Sequence, residues 1–145
     1  MLFDAGIKFK HYCSDMSRTA SIRGVVHFGK EQKFKNRMQM RIYDIVRKAQ
    51  ENTIKNARSG MSGKQIDALA REVIEKSGYG KYFVHSTGHG VGLDIHELPR
   101  ISRISEECVQ DGMVFSIEPG IYLPDEFGVR IEDLVAMKNG RAEVL

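Results

Sequence analysis

Five ligand-type side chains, Asp4, Asp15, His89, Glu118 and Glu132, interrupt apolar stretches that otherwise read as strands. Glu118 follows Met113-Val114-Phe115-Ser116-Ile117, and Glu132 sits within Val129-Arg130-Ile131-Glu132-Asp133-Leu134-Val135. A glutamate buried in a sheet is rare unless it is paired or coordinates a metal. Singly, each residue has a plainer role: Asp4 as a strand-end turn former, either Glu on a wet strand face, His89 as a loop residue between glycines. Jointly, one imidazole and four carboxylates make a hard, oxygen-rich set suited to divalent cations. Two such ions balance four carboxylates and supply an activated water. Asp4 and Asp15 flank a short basic turn within residues 8–11. A hairpin with a two-residue loop at Phe9-Lys10 makes them cross-strand neighbours on one face. There they resist joint ionisation unless a cation lies between them.

The rest of the chain restricts where such a set can sit. At 145 residues and 16.4 kDa it is one domain or a large piece of one, and a sizeable core needs no disulfide staples. Cys13 and Cys108 are the only cysteines, so a disulfide framework is not expected and the cytoplasm is the default compartment. A net charge of +3 is too small to argue for nucleic acid or a membrane surface as partner. The basic residues of the first helix, such as Lys33, Arg37 and Arg41, read as a solvated face. Mean hydropathy of -0.34 and the lack of any apolar run near the roughly twenty residues of a spanning helix exclude a helical membrane protein.

Residues 2–7 and 12–22 read as hairpin strands, with a further strand before residue 28 and a boundary at Gly24 and Gly29. A long helix is expected over residues 31–58, ended by Ser59-Gly60. A second helix opens with the Ser62/Gln65 capping box, carries the stripe Ile66, Leu69, Ala70, Val73 and Ile74, and closes at Gly78. Short β-branched runs follow at 113–117 and 128–136. Strands, two helices, then strands again favour an α+β domain with helices covering one face of an antiparallel sheet. Gly88, Gly90 and Gly92 lack a phosphate-loop context and read as letting backbone pass close to a metal ligand. Cys13 shares a strand face with Asp15. The apolar opening Met1-Leu2-Phe3 and the alternation running to Leu145 are expected of a partial domain with an open edge.

Four ordered strings carry a specific resemblance. Asp4-Ala5-Gly6 with Tyr12-Cys13-Ser14-Asp15-Met16-Ser17-Arg18-Thr19 resembles the D-x-G…Y-x-S-D-x-T-R-T pattern of the Xaa-Pro peptidases. His85-Ser86-Thr87-Gly88-His89-Gly90-Val91-Gly92-Leu93-Asp94-Ile95-His96-Glu97 is similar to their H-x-x-G-H-G-[IV]-G-L-x-x-H-E segment, and Ser116-Ile117-Glu118-Pro119-Gly120 and Arg130-Ile131-Glu132-Asp133 to the remaining two. The family is that of the pita-bread metallopeptidases, which include prolidase, aminopeptidase P and methionine aminopeptidase.

The resemblance implies a pita-bread fold, a curved antiparallel sheet with helices on its outer face, of which residues 1–145 would be a single, N-terminally truncated catalytic domain. It implies two divalent metal ions, Mn²⁺ first with Co²⁺ or Zn²⁺ as alternatives. Asp15, His89, Glu118 and Glu132 would hold one ion, and Asp4, Asp15 and Glu132 the other. Glu118 would shuttle the proton, and His85 and His96 would hydrogen-bond the scissile carbonyl. Arg130 would support a ligand or the substrate carboxylate. His85 and the R-I-E-D string point to the proline-directed branch, with short proline-containing peptides as substrates cut before proline. Ser17 replaces the commoner Thr and keeps the hydroxyl. The expected partner is a second copy in a homo-oligomer or the missing N-terminal half, and neither nucleic acid nor a membrane. The alternatives are a non-catalytic metal- or peptide-binding remnant, half of a split enzyme, or a relative acting on a non-peptide C–N bond, as creatinase does.

Overall fold

A computed structural model describes residues 1–22 and 26–145; the boundary read at Gly24 lies outside the described residues. The chain opens with β1 (Leu2–Ala5) antiparallel to β4 (Met16–Thr19), and the hairpin tip is formed by β2 (Lys8–Phe9) and β3 (Tyr12–Cys13). Its turn is Lys10-His11, both at positive φ (47° and 74°), the geometry that matches the twist of two-residue hairpins. The loop is therefore one residue later than Phe9-Lys10, and the register moves by two. Asp4 stands opposite Ser17, not Asp15. Because the shift is an even number of residues, Asp4 keeps the face expected of it, while Asp15 lies just before β4, two residues from Ser17. Residues 14–15 interrupt the expected long strand. No further strand forms among the described residues between β4 and the first helix: Gln32 ties that segment down from its side chain, accepting from the Ser21 amide and donating to the His27 and Gly29 carbonyls.

Helix α1 (Arg37–Asn56) starts later than its apolar pattern suggests. The Asn36 side chain accepts from the Met38 and Gln39 amides and caps the helix there. Phe34 still packs on the core from the preceding loop. Helix α2 (Gly63–Lys76) carries the complete Ser62–Gln65 capping box. It ends in a Schellman arrangement, with Gly78 at φ 87° and the Tyr79 amide donating to the Ile74 carbonyl at 3.1 Å.

Five antiparallel strands make the main sheet in the order β11 (Arg141–Val144), β10 (Asp133–Lys138), β7 (Val114–Ile117), β5 (Gly88–Gly90) and β6 (Glu97–Ile101). A separate hairpin pairs β8 (Gly120–Leu123) with β9 (Phe127–Arg130). One core cluster joins both helices to the β8–β9 hairpin through Val46, Ala49, Ile74, Ile121 and Val129. A second joins Ala57 and Ile66 to Phe115, Ile117, Val135 and Met137 of the main sheet. Alternation along β7 puts Phe115 and Ile117 toward the helices and turns Ser116, with Glu118 two residues on, to the other side. The run 128–136 is not one strand. It breaks at Ile131-Glu132, because β9 pairs with β8 while β10 pairs with β7, and the chain changes sheets between them. A Cβ at Gly88 would collide with the Ser116 carbonyl oxygen and one at Gly90 with that of Leu98, so β5 lies where only glycine fits.

Candidate metal centre

One open cavity of about 410 Å³ is walled by Asp4, Asp15, His85, Ser86, His89, His96, Glu118, Arg130 and Glu132. All eight side chains singled out from the sequence are in that wall. Asp4 comes from β1, Asp15 from the residue before β4, and His89 from β5. Glu118 stands just past β7, Arg130 ends β9, and Glu132 precedes β10. His85 and His96 lie in the irregular segments before β5 and β6.

Asp15, His89 and Glu132 each offer one ligand atom, all within 4.8 Å of one another. His89 Nε2 is 3.7 Å from Asp15 Oδ2 and 3.2 Å from Glu118 Oε1. Its Nδ1 lies 3.1 Å from the Gly90 carbonyl, which places a proton there and aims Nε2 at the carboxylates. Something positive must stand between Nε2 and those oxygens, either a proton or a metal ion. Burial alone would push the His89 pKa down, but the hydrogen bonds to Glu118 and the Gly90 carbonyl, with the charges of Glu118 and Asp15, outweigh it and raise it.

Glu132 is 2% exposed. Its Oε2 accepts from the Ser17 hydroxyl at 2.7 Å, while Oε1 is buried without a partner. Burial, then the Glu118 charge, pushes its pKa up to about 7 against the Ser17 bond. Asp15 is raised in the same direction, by burial first and then by the charges of Asp4 and Glu118. A buried carboxylate oxygen without a donor is costly. A divalent cation would satisfy that oxygen and hold these acids ionised, so the donor set fits one.

The remaining members are tied in by hydrogen bonds. Arg130 donates to Asp4 Oδ2 at 2.6 Å, to Ser17 Oγ at 2.8 Å and to the Tyr122 hydroxyl at 3.3 Å. Tyr122 OH is 2.9 Å from His85 Nε2, and His85 Nδ1 is 2.8 Å from the Ser86 carbonyl. Burial lowers the His85 pKa, so the imidazole is neutral near pH 7. The His96 ring lies 4.3 Å from that of His89, centroid to centroid. Ser116 Oγ donates to Glu118 Oε1 at 3.0 Å and accepts from the His89 amide at 3.1 Å. Ser116 and Tyr122 escaped sequence reasoning. Ser116 carries one signal, a hydroxyl inside an apolar strand; Tyr122 sits in an ordinary Gly-Ile-Tyr-Leu alternation and carries none.

Residues 1–139 match the model of metallopeptidase family M24. The chain belongs to that family. The Xaa-Pro dipeptidase of Pyrococcus furiosus is 45% identical over 145 residues, all of this chain and 39% of that protein. The solved prolidase from Pyrococcus furiosus superimposes with a TM-score of 0.90 at 45% identity, over 99% of this chain and 40% of its own. The X-Pro aminopeptidase from Thermotoga maritima does so with a TM-score of 0.88 at 38% identity, over 99% of this chain and 38% of its own. The fold of this M24 chain is of the pita-bread type, as the resemblance implied. It spans about two-fifths of the length of the relatives it matches. Among the described residues, no helix is long and apolar enough to cross a membrane.

Proposed function

We propose that residues 1–145 are one partial catalytic domain carrying the dinuclear metal centre of a cytoplasmic Xaa-Pro exopeptidase, which cuts short peptides before proline. The observation that carries this reading is the unpartnered Glu132 Oε1, buried where Asp15, His89 and Glu118 converge. Asp15, His89, Glu118 and Glu132 would hold one divalent ion and Asp4, Asp15 and Glu132 the other. Mn²⁺ is our first choice, and Co²⁺ or Zn²⁺ suits the same donors. When bound, such a pair supplies Lewis-acid polarisation and a water of lowered pKa.

The chain's own part is alignment and proton transfer. Glu118 has Oε1 engaged by Ser116, which leaves Oε2 to take the proton of the attacking water and hand it to the leaving prolyl nitrogen. His96, whose ring has no hydrogen-bond partner among the described residues, supplies a donor for the charge developing on the scissile carbonyl oxygen. His85, between the Ser86 carbonyl and the Tyr122 hydroxyl, forms the substrate wall beside it. Arg130 fixes the position of the Asp4 side chain and adds positive charge for a substrate carboxylate. Calorimetric titration of the chain with Mn²⁺, Co²⁺ and Zn²⁺ at neutral pH, combined with an assay on Xaa-Pro dipeptides, tests the reading. Uptake of two ions with prolyl-bond cleavage is expected, and a chain that takes up no divalent ion overturns it.

The share of its relatives' length that the chain spans favours a second reading. Here the chain binds metal without turnover, and residues from a further polypeptide complete the pocket. Metal uptake with no hydrolysis, and turnover restored by adding the rest of a relative-length enzyme in trans, would select it.

A further inference from the structure

Residues 83–87 lead from the 3-10 turn at Gly80–Tyr82 into β5 and belong to no strand. Their backbone is held instead by two buried side chains of α2. Asp67 and Arg71, one helical turn apart, form a bidentate pair, with Nε donating to Oδ2 at 2.6 Å and a terminal nitrogen to Oδ1 at 2.9 Å. These side chains are 2% and 7% exposed. Arg71 also donates to the Phe83 carbonyl at 3.0 Å and the His85 carbonyl at 2.9 Å, with its guanidinium 4.0 Å from the Phe83 ring centroid. Asp67 Oδ1 accepts from the Thr87 amide at 3.2 Å and the Thr87 hydroxyl at 2.8 Å. The Thr87 carbonyl in turn accepts the Glu118 amide at 2.8 Å.

A buried ion pair is a poor device for stability alone, because desolvation offsets much of the Coulomb gain. Its planar fork does supply fixed directions, and here one guanidinium reaches two carbonyls two residues apart. We infer that Asp67 and Arg71 are positioning residues, which set how the His85 side chain enters the metal-centre cavity and, through Thr87, hold the backbone of Glu118. The inference rests on the reading of that cavity as a peptidase site. The His85 carbonyl is pinned toward α2 while its ring meets Tyr122 in the cavity wall. Neither Asp67 nor Arg71 has a hydrogen bond to any of the five proposed ligand side chains, so their hold on the site runs through the backbone of residues 83–87.

Arg71→Lys tests this on the full chain, because lysine keeps a cation for Asp67 but has no fork for the two carbonyls. Amide exchange and histidine-ring NMR signals are the readouts. We expect the Thr87 amide to exchange about tenfold faster or more, with the His85 ring signal shifted and broadened. Over the same series, amides of Ile66 and Ile74 in α2 should change less than about threefold. A lower melting temperature with the Thr87 exchange rate and the His85 signal unchanged would overturn the inference, leaving a pair that only ties α2 to the sheet. Equal acceleration in loop and helix would overturn it too. Should Arg71→Lys fail to fold, Asp67→Asn, which preserves side-chain shape, is judged by the same criteria. A parent chain that takes up no Mn²⁺ removes the peptidase reading, while the Thr87 and His85 signals still decide the positioning.

Discussion

At the scale of single residues, Ser17 does more than its size suggests. Its hydroxyl donates to Glu132 and accepts from Arg130, so one atom orients both a proposed ligand and the cation that holds Asp4. Ser17→Ala leaves Glu132 with both carboxylate oxygens unpartnered. The expected cost is about 1–3 kcal/mol in urea unfolding of the metal-free protein. Metal affinity should drop by roughly ten- to a hundredfold, as when an outer hydrogen bond to a ligand is lost. Ser17→Thr should restore both, since it returns the hydroxyl. Glu118→Gln is the complementary case. It keeps volume and an oxygen to accept from Ser116 but cannot take a proton, so turnover should vanish while the melting curve stays near the parent's. Retained turnover would refute the shuttle role.

Among the elements, β5 is the one whose exact placement the site depends on. It threads between β6 and β7 with His89 flanked by two glycines. Gly88→Ala sets a methyl against the Ser116 carbonyl, which is backbone of a central strand and has nowhere to go. A loss of at least ~3 kcal/mol, or failure to fold, is expected in chemical denaturation. An alanine variant as stable as the parent would show that β5 can shift. The start of α2 is a milder contrast. Ser62→Ala removes one half of a capping box that does not line the cavity, so it should cost about 1 kcal/mol and leave metal affinity unaltered in calorimetry.

For the molecule as a whole, the cavity acids couple stability to pH. The raised Glu132 and Asp15 hold protons in the folded chain that the unfolded chain has already released above their ordinary values. Stability of the metal-free protein is therefore highest on the acid side of that window and falls as pH rises through about 7, the folded value of Glu132. For Glu132 the gap from 4.5 to about 7 corresponds to roughly 3 kcal/mol. His89, also raised, adds stability below its folded value that is lost on the same upward path. Thermal melts under chelator should show this fall, and Glu132→Gln should flatten it. Saturating Mn²⁺ should reverse the trend, because metal competes with protons for these groups; an unchanged slope would deny that they share a cation. Leu2, Phe3 and Phe28 leave an apolar flank at β1, so the mass in light scattering should rise with concentration.

The chemistry-bearing set, the α2 cap and stripe, and the α+β order were readable along the chain, because residue type and local periodicity encode them. The start of α1 is not legible from apolar spacing, which extends upstream of the Asn36 cap to Phe34. The tertiary structure alone decided the hairpin register, the break before Glu132, the Arg130 contact of Asp4 and the unpartnered Glu132 oxygen. The reason is distance along the chain. Ser17 and Glu132 are 115 positions apart, Asp4 and Arg130 126, and whether such groups meet is settled by how sheets and helices pack rather than by any local pattern.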